Sequence, residues 1–282
     1  MFRLGHILLK DIKSLLAPGK NLKEKVVAGS FWVFFIQIFN KSFGFVSKII
    51  LARLLSPDDF GLFGIAMIAL SALENISQTG FNAALIQEEE NIEGYLNSAW
   101  TIQLIRGFVL SLVLFISSGW VALFFNEGAV ALIIKVFALI VFINSFRNIG
   151  IVFFHKEMTF HKEFIYSFLG TMADFIVSLV LVFIFRNVWA LILGFAARNI
   201  VEVIMSYILH PYRPNIEFDK DKTRRMFHFG KWVFGSSLIS FLINEGDDIV
   251  VGRVLGTSFL GIYKQAYLYS NMPATQITHV IS

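Results

Sequence analysis

Long apolar segments separated by short polar ones run through the chain from residue 29 onward. Eight of them are long enough to cross a membrane, because a spanning helix needs about 20 predominantly apolar residues. They lie at 29–54, 61–86, 97–124, 129–153, 164–186, 188–209, 229–254 and from 259 onward. The pattern predicts an all-α, polytopic helical membrane protein.

One short stretch occurs twice, 200 residues apart. Residues 51–63 read LARLLSPDDFGLF, and residues 251–263 read VGRVLGTSFLGIY. In each copy an apolar helix ends near an arginine (Arg53, Arg253), a short polar turn follows, and a second apolar helix begins. In the first copy Ser56 suits the N-cap and Pro57 the first helical position. The repeat predicts a tight helical hairpin that is used twice.

The repeat also divides the chain. We expect a cytoplasmic amphipathic segment at 1–25, a six-helix lobe at 26–210, a cytoplasmic linker at 211–228 and the start of a second lobe at 229–282. Since only two helices of the second lobe are present, the chain is expected to be an N-terminal fragment. Completing a 200-residue repeat extrapolates to roughly 400–480 residues.

Composition and charge support a membrane protein rather than a nucleic-acid-binding one. Hydrophobic residues make up 56% of the chain, 32 residues are Phe, and the mean hydropathy is +0.69. With the N-terminus in the cytoplasm, fifteen Lys and Arg residues fall inside and three fall outside, namely Arg53, Arg186 and Arg253. The positive-inside rule therefore predicts this orientation and accounts for the basic pI without nucleic acid. The absence of Cys excludes disulfides and cysteine nucleophiles.

Polar residues recur on one face of most predicted spans, where each costs free energy unless it meets water or a partner. We interpret these faces as the walls of a large hydrated cavity. Structural ion pairs are the alternative: Arg198 and Glu202 are four residues apart, and Glu74 could pair with Lys41 or Arg106. The charged candidates are Lys41, Lys48, Glu74, Arg106, Asp174, Arg198, Glu202, Asp247 and Asp248.

Enzymatic motifs are absent from the sequence. It contains no HExxH, Walker, GxSxG or Rossmann pattern, so no catalytic residue, metal site or cofactor is predicted. Asp247 and Asp248 are adjacent, and neighbouring helical side chains point roughly 100° apart, which does not suit a shared metal.

Three stretches resemble a known family. ILARLLSPDDFGLFGIAM, GFNAALIQ and GDDIVVGRVLGTSFLGIYKQAY are similar to segments of the polysaccharide transporter family, the Wzx-type oligosaccharide and lipopolysaccharide flippases of colanic or teichuronic acid type. That family belongs to the multidrug/oligosaccharidyl-lipid/polysaccharide exporter superfamily. The resemblance, which begins near residue 26, implies two six-helix lobes that face each other across a central cavity in the bacterial inner membrane. The chain would hold the first lobe and two helices of the second, so it is not expected to transport alone.

The resemblance also implies a substrate and roles for individual residues. The substrate would be a polyprenyl-pyrophosphate-linked oligosaccharide, carried by alternating access, with H+ or Na+ as the coupling ion. Membrane lipids and a polysaccharide polymerase or export machinery are the expected partners. Arg53 and Arg253 are candidates for a gate or headgroup contact, with helix-end anchoring as the alternative. Lys41, Lys48, Arg106, Arg147 and Arg198 are the candidate cavity cations, and Glu74, Asp174, Asp247 and Asp248 the candidate ion-coupling carboxylates.

Three other functions fit the sequence less well. The sequence distinguishes only weakly between an oligosaccharide flippase and a flippase for the peptidoglycan precursor. A multidrug or cation antiporter of the same superfamily should have a predominantly acidic and aromatic cavity, whereas the first lobe here is rich in Lys and Arg. A membrane-embedded glycosyl polymerase would need a large outer loop, and the predicted outer loops are short.

Overall fold

The structure, a computed structural model, describes residues 22–77, 93–157, 159–217 and 220–281. Within them the chain is all-α, which confirms the predicted fold class, and it contains no β-strand. In chain order the helices are α1 (Leu22–Leu54), α2 (Pro57–Ile76), α3 (Glu93–Phe125), α4 (Gly128–Ser145), a 3₁₀ turn (Ile149–Ile151), α5 (Val152–Lys156), α6 (Phe160–Phe185), α7 (Trp189–Leu209), α8 (Lys220–Val254) and α9 (Thr257–Ile281).

Five of these helices are long and apolar enough to cross a membrane, so the protein is a multi-pass membrane protein. Among the described residues the candidate spans are Phe34–Leu54, Leu96–Phe125, Gly128–Ser145, Phe160–Phe185 and Trp189–Leu209. The other three predicted spans are also helical, as α2, α8 and α9. Most of the predicted amphipathic segment at 1–25 lies outside the described residues, as does the GFNAALIQ stretch.

Turns of two or three residues join the helices at one end of the bundle, which we call the short-turn end. The turn from α1 to α2 is fixed by a capping box. The hydroxyl of Ser56 accepts from the backbone N–H of Asp59 (3.3 Å), and the carboxylate of Asp59 accepts from the backbone N–H of Ser56 (2.9 Å). Pro57 is the first helical residue. The prediction of a tight turn with a Ser56 cap is confirmed, because its signals are local to the turn. Beyond the turn, the described residues of α1 pack on α6 and not on α2, so the expected close packing of the two helices is wrong for this copy.

The second and fourth predicted spans have wrong boundaries. Helix α2 begins at Pro57 and ends at Ile76, so the predicted 61–86 starts late, and residues 78–86 lie outside the part that the structure describes. Helix α4 stops at Ser145, although its apolar segment continues to 153. There Asn148 caps a 3₁₀ turn, its side-chain oxygen accepting from the N–H of Gly150 (2.8 Å). Hydropathy cannot detect this break, because the residues that follow are also apolar.

The buried core of the first repeat lies where α2 packs against α4. Ile65 and Ala66 of α2 are fully buried, as are Ile134 and Phe137 of α4. The ring of Phe137 stacks on that of Phe195 in α7, with centroids 5.3 Å apart. Helix α3 packs on both of these helices and α7 packs on α4, while α6 packs on α7 and α1.

Helix α9 packs directly on α2, and the contact is reciprocal between the two copies of the repeat. A Cβ atom at Gly61 would collide with the backbone of Thr257, and one at Gly261 with the backbone of Pro57. The hydroxyl of Ser258, 200 residues from Asp58, donates to its carboxylate (3.4 Å). In both glycine contacts a glycine of one copy meets the first helical residue of the other copy. Two copies related by a two-fold axis make such reciprocal contacts. The two hairpins thus meet about a local pseudo-two-fold axis at the short-turn end.

Candidate functional site

A cavity of about 560 Å³ lies between helices α2, α3, α4, α6 and α7. Its walls carry the cations and carboxylates of several predicted polar faces together with two side-chain amides. Three of the five candidate cations and one candidate carboxylate line it. The polar and charged lining residues are Glu74, Gln103, Arg106, Asn144, Ser145, Arg147, Glu163, Tyr166, Ser167, Arg198 and Glu202.

Two arginines in this cavity share one carboxylate. Arg147 donates from Nη2 to Oε2 of Glu202 (2.6 Å), and Arg198 donates from Nε to Oε1 (2.8 Å). The hydroxyl of Tyr166 lies 3.3 Å from Oε2 of Glu202, and its ring faces the Arg147 guanidinium at 5.6 Å. The expected pairing of Arg198 with Glu202 is therefore present. Because Glu202 has two cationic partners, these three side chains together carry one net positive charge, while the whole lining holds three arginines and three glutamates.

The break after α4 places Arg147 at this cavity. The amide of Gln103 on α3 donates to the backbone carbonyls of Ser145 and Arg147, both at 2.9 Å. The backbone N–H of Asn148 donates to the hydroxyl of Ser206 on α7 (3.0 Å). These contacts with α3 and α7 hold the turn, so the position of Arg147 depends on residues distant in sequence.

Arg106 contacts uncharged acceptors, unlike Arg147 and Arg198. Its Nη2 and Nε donate to the hydroxyl of Ser77 at 2.7 and 3.1 Å, and its Nη2 also lies 3.4 Å from the backbone carbonyl of Glu74. Its hydrogen bonds go to hydroxyl and carbonyl oxygens and not to a carboxylate, and the nearby anion of the same wall is the side chain of Glu74. Arg106 is thus the lining cation with the strongest capacity to receive an anion.

Other predicted cavity residues lie elsewhere or meet protein partners. The side chain of Lys41 is outside the described residues, and Lys48 is exposed and not part of the lining. Asp174 accepts from the hydroxyl of Ser178 (3.2 Å). On the polar face of α1, Asn40 joins two residues of α6, donating to Ser167 (2.7 Å) and accepting from Thr171 (3.0 Å). At Asn40 the predicted wet face is a hydrogen-bonded contact between helices.

The two carboxylates predicted in the second repeat have side-chain partners on α9. Asp248 forms an ion pair with Lys264 (2.7 Å), which also contacts Glu245 (3.2 Å). Asp247 accepts from the hydroxyl of Tyr263 (2.6 Å). The pairs join α8 to α9 and lie beside α2, because the stem of Lys264 passes 3.1 Å from a Cβ placed on Gly64.

The two arginines at the short-turn end have different surroundings. Arg53 is exposed. Arg253 lies over the ring of Phe124 at 5.6 Å, and the side-chain amide of Asn126, turned so that its oxygen faces the guanidinium, accepts from Nη1 at 2.6 Å. Arg253 therefore ties the end of α8 to the turn between α3 and α4, which supports the anchoring alternative for this residue.

At the opposite end, the segment after α7 is attached beside the cavity. His210 stacks on Phe153 with ring centroids 5.3 Å apart, and its Nδ1 accepts from the N–H of Tyr212 (3.2 Å). Burial lowers the pKa of His210, with nearby Lys162 acting in the same direction. The carbonyl of Tyr212 accepts from the amide of Asn148 (2.7 Å). The start of the predicted linker is thus fixed to the wall that carries Arg147.

The sequence did not single out several residues of these clusters. Tyr166, Ser77 and Glu245 belong to them and lie in no motif, and Lys264 lies in the stretch GDDIVVGRVLGTSFLGIYKQAY without a predicted role. Position 264 corresponds to Gly64 in the first copy of the repeat. The alignment of the two copies therefore does not mark Lys264 as a repeated charged position. Among residues 22–77, 93–157, 159–217 and 220–281, no group of three or more His, Asp or Glu side chains could hold a metal ion.

Comparisons with known proteins match nearly the whole chain. The model of a family described as "Polysaccharide biosynthesis protein" matches residues 50–282. The chain is similar to the lipopolysaccharide biosynthesis protein WzxC of Escherichia coli (strain K12), at 23% identity over 93% of the chain and 54% of that protein. It is also similar to the succinoglycan biosynthesis transport protein ExoT of Rhizobium meliloti (strain 1021), at 24% identity over 81% and 46%. The teichuronic acid biosynthesis protein TuaB of Bacillus subtilis (strain 168) is 23% identical over 72% and 42%.

The chain spans about half the length of the curated relatives it matches. No solved structure matches it.

Proposed function

Because the chain belongs to the polysaccharide biosynthesis protein family, we propose that the complete protein moves a lipid-linked oligosaccharide across the bacterial inner membrane for surface polysaccharide synthesis. The substrate is a polyprenyl diphosphate that carries a sugar repeat unit. The observation that carries this proposal is the cavity in which Arg106, Arg147 and Arg198 converge. The names of the relatives point to the same process.

The cavity chemistry suits a diphosphate joined to a sugar. Guanidinium groups bind phosphate oxygens with short, charge-assisted hydrogen bonds. Arg106, with uncharged acceptors, is the primary contact for the diphosphate, and the pair Arg147 and Arg198 is the second. Asn144 and Gln103 supply amides for sugar hydroxyls. The polyprenyl tail stays in the surrounding lipid, where its burial has no cost.

The proposed transport cycle alternates the access of this cavity between the two sides of the membrane. With the N-terminus in the cytoplasm, the short-turn end faces outward and the cavity corner at Arg147 faces inward. The reciprocal contact between the hairpins at 51–63 and 251–263 is then the outer closure, and the lobes rock about it. Gly61 and Gly261 permit the backbones to touch there. Lys48 and Lys41 on α1 provide further positive charge for a headgroup on its path.

An ion gradient supplies the energy in this proposal. Glu74 lines the cavity beside Arg106, so a proton or Na+ on its carboxylate would alter the charge that the substrate meets. Asp174, Asp247 and Asp248 are the other candidates, although Asp248 already has Lys264 as a counter-ion. A polysaccharide polymerase or export complex would take the flipped lipid.

A complementation experiment with the complete gene tests the proposal. Single Arg106→Ala and Arg198→Ala variants replace the wild type. Arg213→Ala is the control, since Arg213 is exposed, lies outside the lining and contacts two backbone carbonyls and the Tyr207 ring. We expect loss of surface polysaccharide and accumulation of the lipid-linked repeat unit for the cavity variants alone, at normal protein levels. Normal polymer in both cavity variants would contradict the proposed role of the cations.

A further inference from the structure

Glu202 stands out in the cavity because its carboxylate is held by donors from three separate parts of the chain. Resting on the proposed function, we propose that Glu202 is a resident counter-anion. Its carboxylate occupies the place of a substrate phosphate between Arg147 and Arg198, and the diphosphate headgroup displaces it on binding. Glu202 is then a positioning residue that sets how tightly the anion is held.

The donors around the Glu202 carboxylate are of the kind that bind phosphate oxygens. Each oxygen of Glu202 accepts from a different guanidinium, at 2.6 Å from Arg147 and 2.8 Å from Arg198, and Tyr166 adds a hydroxyl at 3.3 Å. Carboxylate and phosphate oxygens both accept charge-assisted hydrogen bonds from arginine N–H groups. A phosphate that reaches this corner therefore competes for donors that Glu202 already uses.

The depth of the three side chains favours exchange from the cavity side. The Glu202 side chain is 8% exposed, whereas those of Arg147 and Arg198 are 26% and 39% exposed. The carboxylate thus lies at the wall, close enough to α6 that a Cβ on Gly170 would be 2.8 Å from its Cγ. Both guanidinium groups extend past it toward the cavity, where a headgroup can reach them without entering the helix contact.

One donor atom at this corner is left without an internal partner. Among the described residues, Nε of Arg147 is buried and forms no hydrogen bond. Buried polar atoms are satisfied in most proteins, and a guanidinium offers five donors of which Glu202 uses few here. Glu202 alone therefore does not fill the donor capacity of the site. A diphosphate, with more acceptor oxygens than one carboxylate, can fill it better.

A tethered competitor has a direct functional consequence. A transport site must bind its substrate well enough to load and weakly enough to release. When the headgroup leaves, Glu202 returns to both arginines, so they are never left unpaired in the wall. Removing its charge should therefore tighten anion binding and slow release, which is the opposite of what loss of a purely structural residue would do.

The test measures pyrophosphate binding by calorimetry to the complete, purified gene product. Glu202→Gln keeps the size of the side chain and removes its charge, and we expect pyrophosphate to bind roughly tenfold tighter or more. Transport of the lipid-linked substrate should fall. Glu157→Gln, at an exposed position outside the lining, removes the same charge and should leave binding unchanged.

The outcomes separate this inference from the proposed function. If the wild type does not bind pyrophosphate, the proposed function fails first. If the wild type binds it and Glu202→Gln binds equally or more weakly at unchanged thermal stability, the resident counter-anion is refuted. Should Glu202→Gln not fold, Glu202→Asp keeps the charge but cannot reach both arginines. It should bind pyrophosphate more tightly than the wild type, and weaker binding would refute the inference.

Discussion

Replacing Arg106 by Ala should weaken the binding of a diphosphate while leaving the fold intact. The partners of Arg106 are the Ser77 hydroxyl and the Glu74 backbone carbonyl, and water in the cavity can replace the guanidinium at both. Its loss breaks no direct ion pair, and the neighbouring Glu74 side chain is exposed to the cavity, so we expect less than about 1 kcal/mol of destabilisation. A hydrogen bond to a charged group contributes about 1.5–3 kcal/mol. Pyrophosphate should consequently bind roughly 10- to 150-fold more weakly.

Arg147→Ala is the informative comparison, because it removes a cation that has a carboxylate partner. Glu202, whose side chain is 8% exposed, would lose its 2.6 Å ion pair and retain only Arg198. Breaking a buried ion pair costs about 3–5 kcal/mol when one charge is left alone. The remaining Arg198 and the partial exposure of Arg147 reduce that cost, yet it should still exceed the cost of Arg106→Ala.

Two measurements on the purified full-length protein check both variants: thermal unfolding and calorimetric titration with pyrophosphate. Arg213→Ala, outside the cavity, controls for the loss of one positive charge. The reasoning is refuted if Arg106→Ala binds pyrophosphate like the wild type, or if it lowers the unfolding temperature as much as Arg147→Ala does.

Three further predictions concern the hairpin contact and the segment after α7. Gly61→Ala should separate α2 from α9 and lower transport, because the added Cβ would collide with the backbone of Thr257. Gly44→Ala is the control, since a Cβ there meets no atom within 4 Å, and equal transport by the two variants would contradict the contact. Cysteines replacing Asp58 and Ser258 in this cysteine-free chain should form a disulfide under oxidation and arrest transport until reduced; active, crosslinked protein would exclude separation of the hairpins in the cycle. Because burial lowers the pKa of His210 from its ordinary 6.5, the unfolded segment takes up the proton first as pH falls through that value. The protection factors of the amides that follow, which correct for the pH dependence of intrinsic exchange, should therefore fall below pH 6.5 and level off below the folded pKa. Protection factors that do not change with pH would show that the histidine does not hold this segment.

The all-α fold and the paired hairpins could be predicted because their signals are local. A capping serine, a proline at the first helical position and an apolar run of sufficient length determine α2 without reference to the rest of the chain. The boundary of α4 could not be predicted in this way. The end of α4 at Ser145 is fixed by hydrogen bonds with Gln103 of α3 and Ser206 of α7. The hydropathy pattern around residue 145 contains no information on these long-range contacts.

The candidate site was predicted in part for a related reason. Helical spacing shows which residues share a face, but it does not show what that face meets. Arg106 and Arg198 do line a cavity, whereas Asn40, on an equally polar face, bonds to α6. Lys264 was not predicted because its role depends on how α8 and α9 pack, and the repeat alignment places a glycine at the corresponding position.

The central claim is that the complete protein carries an anionic, lipid-linked sugar through the cavity that Arg106, Arg147 and Arg198 line. Its most direct test is a flipping assay with the full-length protein in liposomes, using a fluorescent polyprenyl-diphosphate sugar and a membrane-impermeant quencher of the outer leaflet. The account predicts that the protected fraction falls faster with wild-type protein than in protein-free liposomes, and that Arg106→Ala abolishes the difference. Equal rates for wild-type and protein-free liposomes, with correctly inserted protein under an imposed ion gradient, would contradict it.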